Sequence, residues 1–256
     1  NIDGFRCDVA SNVPLDFWKK AIPELRKEKN IFMLAEAWEP ELLKEGLFDM
    51  AYNWESHHTM NRIAQGKNSV KEWDKFMKEN ESKYSADDIL MNFVDNHDEN
   101  SWNGTIKGRL GKGEEAMTAL SYIMPGMPLI YSGNEYGLSH SLKFFEKDSI
   151  PKIKGKDWEL RAKLGKLKTE NTALNGGKNK AKYTRIKTDD DTNILAFTRE
   201  KNGKKVVYIA NFSNNPINTK VDITGEFTNY MTGKIMGMNE KQMFSMKPWQ
   251  YYILME

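Results

Sequence analysis

The sequence predicts an α/β fold, namely about the last five strands of a (β/α)8 TIM-type barrel followed by a small antiparallel β-sandwich. Short apolar runs alternate with amphipathic helical segments in the first two thirds of the chain, and three of these runs lead into an acidic residue. From about residue 178 the hydrophobic spacing changes to two, which is typical of strands. We therefore expect the later part of the barrel in residues 1–177 and the sandwich in residues 178–256.

The chain begins with Asn1 inside a run that reads as a buried strand. Five predicted strands are also three fewer than a closed barrel needs. We therefore expect the N-terminal part of the barrel to lie upstream of Asn1. Five strands alone would leave two open edges, so we expect this segment to need its missing part or a partner.

The composition narrows the class of protein. Among 256 residues, 38 Lys and Arg nearly balance 36 Asp and Glu, and no basic block is interleaved with aromatic residues. This argues against a nucleic-acid partner. No apolar run approaches the length of about 20 residues that a membrane-spanning helix requires. The single cysteine excludes an internal disulfide and leaves the redox compartment open.

The predicted barrel elements follow in order from the first acidic run. Leu15 opens a helical pattern that Pro23 should bend or end early. Strands are predicted at 31–36, at 47–52 and at 90–95, and the residues between 54 and 85 have helical spacing.

A second set of elements completes the predicted barrel. Residues 99–113 are rich in Asn, Gly and Lys and are expected to form a loop. An apolar helix follows around 116–124, and 129–131 is predicted to be a short strand. One more amphipathic helix around 160–167 leads to the change in spacing.

The sandwich is predicted from alternation and turn residues. Asn202-Gly203 is a strong two-residue hairpin turn between two alternating segments. Further short strands are expected at 219–223, 230–232 and 250–254.

Acidic residues follow three of the predicted parallel strands: Asp8, Glu36 and Asp98. Each one alone has an ordinary explanation as a helix cap or a surface ion pair. Because the carboxyl ends of parallel strands meet at one mouth of a barrel, three acids there face one cavity. Repulsion between like charges makes such a cluster energetically costly, so its presence indicates a function. Glycoside hydrolysis is a reaction that requires a pair of carboxylates at one site.

The neighbouring residues suggest different roles for the acids. Arg6 lies on the same strand face as Asp8 and should lower the pKa of that carboxyl, which favours a nucleophile. Glu36 follows the most apolar strand and lies near Trp38, and desolvation favours the protonated general acid. His97, next to Asp98, is a suitable donor to a sugar hydroxyl.

Three segments resemble signature segments of the alpha-amylase family of glycoside hydrolases: Gly4-Phe5-Arg6-Cys7-Asp8, Ala35-Glu36-Ala37-Trp38 and Phe93-Val94-Asp95-Asn96-His97-Asp98. They occur in the family's order and at suitable separations. Residues 125–137 resemble the family's eighth-strand segment, and the sandwich resembles its domain C.

The resemblance implies a retaining mechanism on α-1,4-glucans such as starch and maltooligosaccharides. It implies that Asp8 is the nucleophile, that Glu36 is the acid/base, and that Asp98 holds sugar hydroxyls and distorts the ring. Arg6 and His97 would contact the substrate, and Trp38 would line the leaving-group side. Alternatives are an α-1,6-glucosidase, a neopullulanase or a glucanotransferase of the same family, or a non-catalytic glucan-binding protein on this fold.

Two positions depart from the family pattern. Many alpha-amylases carry Lys and His three and four residues after the nucleophile, where this chain has Ser11 and Asn12. In those enzymes the lysine contacts the substrate on the leaving-group side, and the histidine contributes to a calcium site. We therefore expect both features to differ in this chain. The remaining calcium ligands of the family would lie upstream, so we expect no cofactor bound by this chain alone.

Three other candidate functional sites are better explained by structural roles. His57 and His58 are adjacent, so on a helix they point about 100° apart and do not suit a shared metal. Residues 189–191 are three aspartates without the ligand spacing of a calcium loop, which indicates a solvated turn. Cys7 should pack behind its strand, away from Asp8.

The expected partner also bears on the location of the protein. The resemblance implies an α-glucan as its partner, and polymeric glucan does not cross a membrane. We therefore expect an extracytoplasmic protein, whether secreted, periplasmic or at the cell surface.

Overall fold

A computed structural model describes residues 2–239 and 243–256. Five parallel strands form one sheet in the order β1-β2-β3-β4-β5, so each strand pairs with the next one along the chain. This succession is that of a (β/α) barrel wall, as predicted. The strands are β1 (Gly4–Cys7), β2 (Phe32–Ala35), β3 (Met50–Tyr52), β4 (Ile89–Asn92) and β5 (Met127–Pro128).

Helices connect these strands and follow the last one. Their bounds are α1 (Leu15–Glu28), α2 (Trp54–Ala64), α3 (Val70–Lys83), α4 (His97–Asn103), α5 (Ile106–Leu110), α6 (Glu114–Ile123) and α7 (Lys156–Glu170). No helix within the described ranges 2–239 and 243–256 is both long enough and apolar enough to cross a membrane.

Side-chain caps fix where several helices begin. The Asn53 side chain accepts the Ser56 amide at the start of α2, and Ser69 and Glu72 form a reciprocal capping box on α3. The Asn96 side chain accepts the Glu99 amide at 2.8 Å and so starts α4. This cap places the predicted site residues His97 and Asp98 in the first turn of a helix.

The rest of the chain is antiparallel, in agreement with the predicted sandwich. One sheet has the order β11-β10-β13-β8-β7-β6, and a small second sheet pairs β12 with β9. The strands are β6 (Lys182–Arg185), β7 (Ile194–Lys201), β8 (Lys204–Asn211), β9 (Ile217–Thr219), β10 (Gly225–Asn229), β11 (Ile235–Met238), β12 (Phe244–Met246) and β13 (Tyr251–Met255). Asn202 and Gly203 both have positive φ, as a tight hairpin turn between β7 and β8 requires.

One hydrophobic core joins the helices to the antiparallel sheet. Met117 on α6 and Leu164 on α7 are buried in the same cluster as Phe197 and Tyr208 on β7 and β8. The Tyr208 hydroxyl donates to the Ala116 carbonyl at 2.7 Å, which satisfies its polar tip inside this core. The change from helices to antiparallel strands falls between α7 and β6, while a domain boundary at residue 177 remains a prediction because the core spans both sides.

Two predicted barrel elements, the first helix and the last parallel strand, have other bounds in the structure. Helix α1 continues through Pro23 to Glu28, so it does not end early, while the alternative of a bend at Pro23 stays a prediction. Trp18 and Ile22 are buried in the turn before Pro23 and hold the helix against the sheet. The last parallel strand is Met127–Pro128, and residues 129–131 lie beyond it. Gly126 permits the earlier pairing, because an added Cβ there would lie 2.2 Å from the Leu90 carbonyl oxygen.

Two loop and strand assignments also need correction. Most of residues 99–113 is helical in α4, α5 and a short 3₁₀ turn, because Asn96 and Thr105 cap helices that composition alone does not reveal. Residues 230–232 form a turn between β10 and β11, in which the Asn229 side chain accepts the Met231 amide at 3.0 Å.

Candidate active site

Arg6 connects two of the predicted catalytic acids. Its Nη1 lies 2.6 Å from Asp8 Oδ1 and its Nη2 lies 2.6 Å from Glu36 Oε1. Its Nε donates to the Tyr52 hydroxyl at 3.2 Å, so the ends of β1, β2 and β3 meet at one guanidinium. The planar fork of arginine is suited to holding two carboxylates in fixed positions.

Asp8 is the most accessible of these groups, since 76% of its side chain is exposed. The hydrogen bond from Arg6 holds the pKa of the Asp8 carboxyl below its ordinary value, and a hydrogen bond with Glu36 acts in the same direction. Arg6 therefore favours the ionised form of Asp8, as the sequence predicts.

Glu36 is held more firmly than Asp8. Its side chain is 11% exposed, and its Oε2 accepts the Val9 amide at 2.8 Å while its Oε1 meets Arg6. Val9 adopts the left-handed region at φ 40°, which is a strained conformation for a β-branched residue. This backbone conformation directs the Val9 amide to the Glu36 carboxylate.

His97 and Asp98 follow β4 in the chain and lie at the same site as the acids that follow β1 and β2. The ligand atoms of Glu36, His97 and Asp98 all lie within 4.8 Å of one another, and His97 Nε2 is 3.5 Å from Asp98 Oδ2. The ends of β1 and β2 and the start of α4 thus deliver the three acids to one place. Within the described residues, this is the one group of His, Cys, Asp and Glu side chains close enough to hold a metal ion.

Trp38 lies two residues beyond Glu36 and half of it is exposed. It lines a cavity of about 440 Å³ together with Tyr52, Trp54 and Tyr84. The Tyr84 hydroxyl donates to the Trp38 carbonyl, which fixes this segment over α3. An aromatic plane is therefore available next to the acids, and its place on the leaving-group side remains a prediction.

Tyr52 was not predicted as a site residue, although it ends a strand and has a polar tip. Its hydroxyl accepts from Arg6, its ring lies 5.7 Å from the guanidinium carbon, and burial raises its pKa. The signal in the sequence is weak, because an apolar strand that ends in Tyr is equally typical of a core.

A buried charged network behind α4 was also missed. Asp95 Oδ1 lies 2.6 Å from Arg109 Nη2, and Asp95 Oδ2 accepts from Asn134 at 3.1 Å. Burial raises the pKa of Asp95 in spite of these partners. Glu99 pairs with His57 at 3.0 Å and completes the set.

This network anchors the segment that carries His97 and Asp98. Arg109 Nη1 donates to the Val94 carbonyl at 3.1 Å, and His57 Nδ1 lies 3.2 Å from the Phe93 carbonyl oxygen. The backbone just before the site residues is therefore tied to α2 and α5.

The weaker candidates have structural partners. His57 is buried in the network above, and burial lowers the pKa of His58. Cys7 is partly buried against the core behind β1. Residues 189–191 lie in a turn, where Asp191 Oδ1 accepts the Thr188 amide at 2.9 Å.

The calcium expectation concerns Asn12, at the end of a 3₁₀ turn after β1. Asn12 is exposed. Among the described residues, it is not accompanied by a cluster of carboxylate and histidine ligands. The calcium expectation therefore stays a prediction.

Comparison with known proteins places the chain in a family. The family model described as "Alpha amylase, catalytic domain" matches residues 1–222. Alpha-amylase MalA of Haloarcula japonica is 22% identical over 239 residues, which cover 92% of this chain and 35% of that protein. Maltogenic alpha-amylase of Bacillus acidopullulyticus is 27% identical over 231 residues, covering 85% of this chain and 38% of its own length. The chain therefore spans little more than a third of these curated relatives.

Solved structures show the same fold. The noncanonic maltogenic alpha-amylase AmyB from Thermotoga neapolitana superposes with a TM-score of 0.86 at 23% identity, covering 100% of this chain and 61% of that structure. An alpha-amylase from Lactobacillus plantarum gives 0.83 at 20% identity, covering 100% and 63%. With the family model matched over most of the chain, these comparisons show that the chain belongs to the alpha-amylase family of glycoside hydrolases.

Proposed function

We propose that this chain carries the catalytic carboxylates of a retaining glycoside hydrolase that acts on α-1,4-glucans such as starch and maltooligosaccharides. The observation that carries the proposal is the bridge of Arg6, which lies 2.6 Å from both Asp8 and Glu36. Asp98 and His97 lie close enough to Glu36 to face the same sugar ring.

In the first step, Asp8 attacks the anomeric carbon and the bond to the leaving oxygen breaks. Glu36 gives its proton to that oxygen, which leaves as a sugar hydroxyl. Arg6 keeps Asp8 ionised for the attack, in agreement with the lowered pKa of Asp8. In the second step Glu36 takes a proton from water, and the resulting oxygen nucleophile displaces Asp8 from the anomeric carbon.

The closeness of the two acids supports retention of configuration. Retaining enzymes hold their carboxyl groups about 5–5.5 Å apart, whereas inverting enzymes leave about 6.5–9.5 Å for a water molecule. Asp8 and Glu36 each lie 2.6 Å from the same Arg6 guanidinium, which holds the two carboxylates near each other. A shared arginine is in keeping with the shorter carboxyl separation of a retaining enzyme, and this supports the proposal.

The names of the relatives support an α-glucan substrate. They include alpha-amylases, a maltogenic alpha-amylase and a cyclomaltodextrinase. Because the chain covers only part of each, its linkage preference is part of the proposal. Product analysis on amylose, pullulan and panose separates α-1,4 hydrolysis from α-1,6 hydrolysis and from glucan transfer.

Release of reducing sugar from soluble starch by the intact protein that contains this chain tests the activity. We expect Glu36→Gln to lower the rate by several orders of magnitude, because the variant cannot protonate the leaving oxygen. Glu41→Gln is the matched control, since Glu41 is an exposed glutamate outside the site. Equal sugar release by Glu36→Gln and the parent would defeat the assignment of Glu36, and a parent that releases no sugar would favour a non-catalytic glucan-binding protein.

We also propose an extracytoplasmic location, because a polymeric substrate must be reached outside the membrane. Cell fractionation with immunodetection tests it. Finding the protein only in the cytoplasm would overturn the proposed location.

A further inference from the structure

Three large aromatic side chains form an exposed surface beside the proposed active site. They are Trp102 on α4 and Phe144 and Phe145 on the long connection between β5 and α7, and we call them the aromatic platform. Trp102 is 61% exposed, Phe144 42% and Phe145 84%. Contiguous apolar surface of this kind marks a binding site more often than chance exposure does.

The platform is continuous with the catalytic group through His97. The His97 ring is nearly parallel to that of Phe144, with centroids 6.3 Å apart and an interplanar angle of 25°. Phe144 contacts Trp102 at 5.2 Å and Phe145 at 4.8 Å. A line of rings therefore runs outward from the residue that we expect to contact the reacting sugar.

Hydrogen bonds fix the platform in place. The Leu142 amide donates to Asn100 Oδ1 at 2.7 Å, and the Ser101 hydroxyl donates to the Leu142 carbonyl at 2.9 Å. The Lys143 amide donates to Asp148 Oδ2 at 3.1 Å, which closes the loop on itself. The connecting segment is thus attached to the same helix that carries Asp98 and Trp102.

We propose that the aromatic platform binds glucosyl units of an α-glucan chain that extend beyond the sugar held at His97. This inference rests on the proposed function, because it extends the same cleft. The C–H face of a glucose ring is apolar and packs on aromatic planes, while its hydroxyls remain in water at the rim. Continuity with the catalytic residues identifies the occupant as the substrate chain, since a chain bound at His97 must leave the site over neighbouring surface.

Affinity electrophoresis in gels containing soluble starch tests binding, with every variant in a Glu36→Gln background so that the starch is not consumed. Trp102→Ala should weaken retention by about three- to tenfold, the size expected for the loss of one aromatic contact. Trp102→Phe should restore most of the retention, and Ile235→Ala, which removes an exposed apolar residue of β11, should leave it unchanged.

A second readout is kcat/KM of the intact, active protein. The loss on Trp102→Ala should be larger for maltoheptaose than for maltotriose, because only the longer chain reaches the platform. Equal losses on both substrates would contradict the proposal.

The outcomes separate this inference from the proposed function. An active parent whose Trp102→Ala variant binds starch as tightly as before overturns the platform alone. A parent that releases no sugar but loses starch binding on Trp102→Ala overturns the hydrolase and keeps the platform. A lower melting temperature or a changed oligomeric state with unchanged starch binding would show that protein covers the platform, and would overturn the proposal.

Discussion

Arg6 and Arg109 each hold two carboxylates, and the surroundings of these two arginines differ. Arg6 pairs with Asp8 and Glu36 at the mouth of the sheet, where its side chain is 31% exposed. Arg109 pairs with Asp95 at 2.6 Å and with Glu99 at 3.8 Å, and its side chain is 7% exposed.

Accessibility, and not the presence of paired acids, distinguishes the set that we propose to be reactive from the set that supports the structure. Asp8 can approach a substrate and keeps a lowered pKa. Asp95 has no exposed side-chain surface and a pKa raised by burial, so it can only support the segment that leads to Asp98.

The largest expected effect is a difference in protein stability between variants at the two arginine sites. Asp95→Ala leaves Arg109 buried without its closest partner and should lower the free energy of unfolding by about 3–5 kcal/mol. Asp8→Ala should change the denaturation midpoint little, because water can solvate the exposed Arg6. Urea denaturation followed by tryptophan fluorescence measures both.

If Asp95→Ala does not fold, Asp95→Asn takes its place, because asparagine keeps the shape of the side chain. Asp95→Asn should still be less stable than Asp8→Ala. Equal midpoints for substitutions at Asp95 and at Asp8 would contradict the distinction between the two sites.

The next effect concerns a partly buried cation, Lys168, whose hydrogen bonds within the described residues go to backbone carbonyls. Lys168 donates to the Gly126 and Leu174 carbonyls at 2.7 and 2.8 Å, and burial together with the nearby Arg199 lowers its pKa to about 7. Between this value and the ordinary lysine pKa the unfolded chain binds more protons than the folded one, so stability rises with pH.

From pH 7 to pH 9 we expect a gain of about 2 kcal/mol from Lys168. Lys168→Met should remove this gain, whereas Lys166→Met, which changes an exposed lysine on the same helix, should keep it. Urea denaturation at pH 7 and pH 9 measures the difference, and identical pH dependence in the two variants would contradict the role of burial.

The smallest effect tests how Arg6 is oriented. Tyr52→Phe removes the hydroxyl that accepts from Arg6 Nε and should lower kcat/KM on starch by about three- to tenfold, the net contribution of one typical hydrogen bond. Tyr230→Phe is the control, because its hydroxyl bonds the Lys163 carbonyl far from the acids. A Tyr52→Phe variant as active as this control would show that Arg6 needs no third partner.

The sequence predicts the sheet and the convergence of the acids because both follow from local patterns. Apolar runs that lead towards Asp8, Glu36 and Asp98 identify the strands, and the parallel arrangement brings their ends together. Arg6 is on the same face as Asp8, as alternation along a strand requires.

The remainder depends on contacts between distant residues. Arg109 lies in a segment whose composition indicates a loop, and only the folded chain brings it to Asp95 and Val94. Trp102 and Phe144 are 42 positions apart, and their contact depends on the hydrogen bonds between α4 and the β5–α7 connection. Such pairs carry no periodic signal, so no local pattern reveals them.

The most direct test of the account is to trap the covalent intermediate. The intact protein that contains this chain is incubated with a fluorinated maltosyl fluoride that accumulates glycosyl-enzymes, digested, and examined by mass spectrometry. We predict a maltosyl adduct on Asp8 that is absent from the Asp8→Asn variant. Turnover of α-glucan without any adduct, releasing sugar of inverted configuration, would contradict the account.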